Sequence, residues 1–109
     1  MSGFSARAQV VSRFSMLYPD LIVASAIQAS GAKVIPNSWS PVKFFISVGN
    51  ADDQARKDNM SLFYYGAKQN NIYVEYKEYP EGHSLSTQQK LDNLDFFKRV
   101  KNNRQGDSL

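Results

Sequence analysis

Two short runs of apolar residues constrain the fold of this chain most strongly. Residues 21–29 are almost continuously apolar over the length of a strand, and residues 42–48 form a second strand that Gly49-Asn50 closes. The first run is typical of a parallel strand buried on both faces, because a strand with one face in water alternates apolar and polar residues. Residues 72–79 do alternate, which predicts a third strand nearer an edge of the sheet.

Apolar residues at helical spacing separate and flank these runs. The stripes are Val10, Val11, Phe14 and Leu17, then Met60, Phe63, Tyr64 and Ala67, and finally Leu91, Leu94 and Phe97. Pro19 ends the first helix, and Ser86 or Thr87 is suited to cap the last. The order helix, strand, strand, helix, strand, helix predicts the α/β class, with parallel strands and flanking helices.

Three strands form a small sheet with exposed edges, which favours self-association through an unpaired edge. Gly3-Phe4-Ser5 has the composition of a corner between a strand and a helix, yet no strand pattern precedes it. We therefore predict that the strand leading into Gly3 lies upstream or is missing. Residues 1–102 are predicted to form one partial domain, and residues 103–109 a disordered tail.

Composition excludes several kinds of site. The 109 residues include no cysteine, which excludes disulfides, thiolate metal sites and cysteine nucleophiles. One histidine and no cluster of ligands argue against a metal site, and no cofactor is expected. No run approaches the ~20 apolar residues that a membrane span needs. The sequence does not indicate the cellular compartment of the protein.

Much of the net charge of +3 lies in residues 98–104. Because Lys and Arg favour the C-terminal end of a helix, this pattern predicts a solvated helix end rather than a nucleic-acid surface. The tyrosines at positions 64, 65, 73 and 76 fit core and sheet packing better than base stacking. Nucleic-acid binding is therefore the weakest of the functional hypotheses.

Three chemically matched residues fall at the ends of predicted elements. Ser5 lies in the opening corner, Asp52 follows the second strand, and His83 follows the last. Functional groups gather beyond the carboxyl ends of strands in open parallel sheets, so these side chains are expected at one edge. The order Ser, Asp, His along the chain is the order in α/β-hydrolases.

The chemistry of acyl transfer needs these residue types. A serine hydroxyl is a weak nucleophile until an imidazole accepts its proton, and a carboxylate on the other ring nitrogen stabilises the imidazolium that forms. The backbone N–H of Ala6, at the start of a helix, would supply one donor to the oxyanion. Each residue also has a simpler interpretation. Ser5 and Asp52 could be helix N-caps, and His83 a polar surface residue.

The sequence resembles α/β-hydrolases of the poly(3-hydroxybutyrate) depolymerase and feruloyl-esterase-like branch. GFSARAQVVSRFSMLYPDLIVASAIQASG is similar to their elbow, helix and following strand, FFISVGNADD to their strand and triad acid, and VEYKEYPEGHS to their final strand and histidine loop. The resemblance covers about residues 2–99. It implies Ser5 as nucleophile, Asp52 as acid and His83 as base, with Asp53 the less favoured acid.

Two departures from that family matter. Arg7 replaces the second glycine of the elbow, where a long side chain would crowd the strand unless it points to solvent. The earlier strands of the family, and the loop that supplies a second oxyanion N–H, are not found in the sequence.

These observations predict a serine hydrolase that acts on small or polymeric carboxylic esters, present as the C-terminal half of its domain. The alternative is an inactive hydrolase-like fragment that binds a ligand or a partner chain.

Overall fold

The computed structural model describes residues 1–30, 34–83 and 85–107. Its elements are β1 (Ser2–Phe4), α1 (Ala6–Leu17), β2 (Ala24–Gln28), β3 (Lys43–Gly49), α2 (Gln54–Gln69), β4 (Val74–Tyr79) and α3 (Thr87–Asp107). The strands form one sheet in the order β1-β2-β3-β4, and every neighbouring pair is parallel. The predicted α/β class, with parallel strands and flanking helices, is confirmed.

A strand does lead into the opening corner, so the prediction that it is missing is wrong. Ser2 pairs with Ala26, and Phe4 pairs with Gln28, in parallel register. The strand has three residues, which are too few to show a period of two in the sequence. The sheet therefore has four strands rather than three, and β1 lies at its edge.

The two faces of the sheet are covered by different helices. On β3, Phe44 and Ile46 point to a core shared with α1 and α2, where Phe63 is buried. Phe45 points to the other face and packs against Phe96 of α3. This alternation leaves β3 buried on both sides. All five residues of β2 are buried as well, as the apolar run of residues 21–29 predicted.

The predicted helical stripes agree with the structure only in part. In α2, the apolar residues Met60, Phe63 and Ala67 are buried as expected. In α1, Val11 is buried as expected, but Val10 and Leu17 are exposed, and the other buried residues are small. Ser15 and Ser25 hydrogen-bond to each other at 2.7 Å between α1 and β2. The helix lies close to a strand of small residues there, so size rather than hydrophobicity decides which residues face the sheet.

The predicted inward face of α3 is wrong at two of its three residues, whereas Phe97 is partly buried and packs against Phe96. Leu91 and Leu94 are 54% and 56% exposed, whereas Phe96 is fully buried. Gln89, Asn93, Phe96 and Val100 form the buried stripe. Two of its four members are polar. A prediction from hydrophobicity alone therefore placed the buried face of α3 too far around the helix.

The end of α3 overlaps the predicted tail. The helix is continuous across residue 102 and reaches Asp107, while residues 108–109 lie outside the described residues. No helix in the described ranges is long and apolar enough to cross a membrane.

The register of α3 can be tested by a matched pair of truncations. We expect Phe96→Ala to lower the free energy of unfolding by about 3–5 kcal/mol, because it empties a fully buried site. Leu94→Ala removes a mostly exposed side chain, so its effect should stay within about 1 kcal/mol. Chemical denaturation of both variants measures the difference. Equal losses would contradict the observed register.

The free edge of β1 generates a second expectation. In the described sheet no strand pairs with its outer side, and unpaired edges favour association. We expect the average mass in sedimentation velocity to rise with protein concentration. Ser2→Lys, which places a charge on this edge, should reduce the association, whereas Ser38→Lys at another exposed site should not. A monomer at every concentration would contradict the expectation.

Candidate active site

Ser5 occupies a tight corner between β1 and α1. Its backbone has φ 59° and ψ −116°, a region that residues other than glycine rarely adopt. The Ser5 N–H donates to the carbonyl of Gln28 at 2.9 Å, which fixes the corner to β2. The Ser5 side chain makes no capping hydrogen bond, so the alternative interpretation as a helix cap does not hold. The corner instead presents the hydroxyl at the carboxyl edge of the sheet.

The close approach of strand and helix in this corner depends on Gly3. A Cβ at Gly3 would lie 2.6 Å from the backbone C and O atoms of Arg7. Only a glycine fits there, because real Cβ contacts are longer. Arg7 itself is exposed, so the residue that replaces the second elbow glycine does not crowd the strand.

His83 contacts both of the other predicted site residues. Its Nε2 lies 2.9 Å from Ser5 Oγ, and its Nδ1 lies 2.8 Å from Asp52 Oδ2. The ring of Phe4 stacks on the imidazole, with centroids 4.7 Å apart and an angle of 27° between the planes. The structure therefore brings Ser5, Asp52 and His83 together in one chain of hydrogen bonds.

The loop that carries His83 packs closely on the end of β3. A Cβ at Gly49 would lie 2.2 Å from the carbonyl O of Glu81, so this position also requires glycine. The N–H of Ala51 donates to the same carbonyl at 2.9 Å, and Asn50 N–H donates to Tyr79 at 2.7 Å. These contacts hold the turn with the carboxylate against the loop with the imidazole.

The base of the histidine loop is tied to α3. The Tyr79 hydroxyl, at the end of β4, donates to Asp92 at 2.6 Å, and Lys77 Nζ donates to the same carboxylate oxygen at 2.8 Å. Burial, followed by the hydrogen bond to Asp92, raises the pKa of Tyr79. The hydroxyl therefore stays protonated and donates throughout the physiological range.

Asp52 and Asp53 have different roles, although they are adjacent. The Asp52 side chain is 1% exposed, and its Oδ1 accepts from the N–H of Asp53 at 2.7 Å. Arg56 Nη1 lies 3.7 Å from that oxygen. Asp53 is the N-cap of α2, since its side chain accepts from the backbone N–H of Arg56 at 3.0 Å. Asp53 is therefore the residue that caps α2, and the Asp52 side chain faces His83.

The arrangement permits a directed proton transfer. With a neutral imidazole, Nδ1–H donates to Asp52 and the lone pair of Nε2 accepts from the Ser5 hydroxyl. The first N–H groups of a helix have no intrahelical partner, so the N–H of Ala6 is free to donate beside Ser5. Its assignment to an oxyanion site stays a prediction. Among residues 1–30, 34–83 and 85–107, no group of three His, Cys, Asp or Glu side chains could hold a metal ion.

Sequence reasoning missed several residues that shape the site. Phe4, which stacks on His83, lies between two residues that the corner motif had already singled out. Gln28 and Asn93 are buried beside the corner, and Asn93 Nδ2 donates to Gln28 Oε1 at 3.2 Å. No local pattern links these two amides, because 65 residues separate them.

Comparisons with known proteins were made for both sequence and structure. No protein-family model matches the sequence, and no curated protein matches it. A solved ferulic acid esterase superposes with a TM-score of 0.74 at 14% identity, over 91% of this chain and 50% of that chain. A protein of unknown function from Agrobacterium tumefaciens also has a TM-score of 0.74, at 18% identity over 91% of this chain and 50% of its own.

A third similar structure is a protein assigned as a dienelactone hydrolase from Klebsiella pneumoniae. It superposes with a TM-score of 0.66 at 13% identity, over 88% of this chain and 48% of that chain. At these identities the likeness is one of fold, and it confirms the partial α/β-hydrolase fold expected from the sequence. The chain spans about half the length of each of these proteins.

The strained corner can be tested without any substrate. A residue at the Ser5 dihedral angles costs of order 1–3 kcal/mol unless it is glycine. We expect Ser5→Gly to be more stable than Ser5→Ala by about 1 kcal/mol, because both variants lose the hydroxyl and only glycine relieves the strain. Urea denaturation of the two variants gives the comparison. A less stable glycine variant would show that the corner is relaxed.

Proposed function

We propose that this chain is a serine hydrolase acting on carboxylic esters, with residues 1–102 as the C-terminal half of an α/β-hydrolase domain. Ser5 is the nucleophile, His83 the general base and Asp52 the residue that orients the imidazole. The observation that carries the proposal is the pair of hydrogen bonds through His83, 2.9 Å to Ser5 Oγ and 2.8 Å to Asp52 Oδ2. It is supported by the strained backbone that presents Ser5 at the edge of the sheet.

The reaction proceeds through an acyl-enzyme. Ser5 Oγ attacks the ester carbonyl carbon while its proton moves to His83 Nε2, and Asp52 stabilises the resulting imidazolium. The N–H of Ala6 donates to the oxyanion of the tetrahedral intermediate. His83 then protonates the departing alcohol. A water molecule, deprotonated by the same imidazole, attacks the acyl group and restores the Ser5 hydroxyl.

The similar structures support ester chemistry through their names, one a ferulic acid esterase and one assigned as a dienelactone hydrolase. This chain aligns with about half of each. In our proposal it supplies the nucleophile, the acid, the base and one oxyanion donor, while a second donor and much of the substrate pocket would come from elsewhere. The chain alone is therefore a weak catalyst.

The second candidate is an inactive hydrolase-like module that binds another polypeptide. The free edge of β1 favours it, since in the described sheet this side of the strand has no partner. A module of this kind does not need a reactive serine. Reactivity of Ser5 toward an acylating reagent therefore separates the two candidates.

Labelling with a fluorophosphonate provides that test, because the reagent forms a bond to an activated serine and does not require turnover. We expect stoichiometric modification at Ser5. Labelling should be lost in Ser5→Ala, fall by about 10²-fold or more in His83→Ala, and remain unchanged in Ser38→Ala at an exposed loop serine. Modification spread over several serines, or unaffected by His83→Ala, would favour the inactive module.

Turnover by the chain should be slow. Loss of one oxyanion donor costs about 10²–10³ in turnover, so we expect the rate of p-nitrophenyl acetate hydrolysis to be very low. The residual rate should depend on Ser5, and Ser5→Ala should reduce it to the rate of the solvent. A rate typical of a complete esterase would contradict the view that the oxyanion site is incomplete.

A further inference from the structure

A groove lies between β1 and α3, and its lining includes Phe4, the residue before the candidate nucleophile. Its volume is about 380 Å³, within the range of about 300–1,000 Å³ typical of small-molecule sites. Phe4, Leu85, Leu94 and Phe97 supply apolar walls. Neither Ser5 nor His83 lines the groove, but Phe4, which does, immediately precedes Ser5 and stacks on His83. One aromatic ring therefore lies between a ligand in the groove and the reacting imidazole.

Arg7 and Lys90 give this groove a positive charge. They lie on opposite sides, Arg7 on α1 and Lys90 on α3, and both side chains line it. Neither forms an ion pair in the part of the chain that the structure describes. None of the lining residues, all within the described ranges, is acidic. Two cations without a counter-charge therefore flank an apolar cleft.

The inner wall of the groove carries a hydrogen-bond donor that has no partner. Gln28 and Asn93 line it and are 2% and 9% exposed. The Gln28 Nε2 and Asn93 Oδ1 atoms have no hydrogen-bond partner among the described residues. If both amides were flipped, their bond would still leave one N–H₂ group and one carbonyl oxygen unpaired. Such groups are costly when buried, which favours a polar ligand that pairs with them.

We propose that this groove binds a carboxylate on the substrate, so that the preferred esters carry a second, anionic group joined to the ester by an apolar spacer. Arg7 and Lys90 neutralise the carboxylate, and the free amide N–H donates to it. The amide oxygen that is left accepts from water. The elbow pattern has a glycine at the position of Arg7, and the proposal gives the arginine a role there. Gly3 already allows the close approach of strand and helix, so a second glycine is not needed for it.

The inference rests on the proposed function only for the statement that the ligand is a substrate. Binding itself can be measured on the Ser5→Ala chain, which cannot form an acyl-enzyme. The probes are 3-phenylpropanoate and its uncharged methyl ester, which share an apolar body and differ in charge. Side-chain amide signals in ¹⁵N-resolved NMR spectra report contact with Gln28 and Asn93.

We expect 3-phenylpropanoate to shift both side-chain amide signals with a saturable curve and to bind more tightly than the methyl ester. Arg7→Gln and Lys90→Gln should each weaken the binding of 3-phenylpropanoate by about two- to fivefold, the range for a partly exposed ion pair. Arg13→Gln on α1 and Lys98→Gln on α3 remove cations that do not line the groove, so they should leave the affinity unchanged. Added salt should weaken the binding of 3-phenylpropanoate and leave that of the methyl ester unchanged.

The proposal is overturned if the methyl ester binds as tightly as the anion, if the shifts lie away from the two amides or are absent, or if the control substitutions weaken binding as much as Arg7→Gln. Carboxylate binding in a chain whose Ser5 does not react with a fluorophosphonate would overturn the hydrolase assignment and leave the anion site. If Ser5 reacts with the fluorophosphonate but the carboxylate does not bind, the anion site is overturned and the hydrolase assignment remains.

Discussion

The parallel pairing of all four strands is the constraint on which the rest of this structure depends. Because β1, β3 and β4 run in the same direction, the turns that follow them meet at one edge. Ser5, Asp52 and His83 belong to these three turns, and β2 lies between the strands that carry the first two. Residues 78 positions apart, such as Ser5 and His83, come within 2.9 Å through this topology.

Parallel pairing brings the turns near one another, and local backbone features complete the approach. Gly3 lets α1 lie against β1, and Gly49 lets the loop before His83 lie on the end of β3. Ser5 adopts a strained backbone in the same place. The surrounding sheet and helices hold these features in place at the candidate site. Similar features also occur elsewhere, since Gly66 lies close to Pro36 and Asn71 has a positive φ.

The sequence predicted those parts of the structure that depend on large apolar residues or on strand ends. The burial of β2 on both faces, the inward stripe of α2 and the meeting of Ser5, Asp52 and His83 all follow from such patterns. It did not predict β1, which is too short for a period, or most of the inward faces of α1 and α3. Those faces contain serine, glutamine and asparagine, whose burial depends on partners such as Ser25 and Gln28 that are distant in the chain. Hydrophobicity alone gives no information on such pairs.

The protonation of His83 is the most direct test of the central claim, that this imidazole joins a buried carboxylate to the serine hydroxyl. His83 is the only histidine in the sequence, so its ring nitrogens can be assigned in ¹⁵N NMR without ambiguity. At a pH where the ring is neutral, we expect the proton on Nδ1, donated to Asp52, and an unprotonated Nε2. Asp52→Asn should remove this preference. A neutral ring protonated at Nε2 in the unmodified chain would contradict the account.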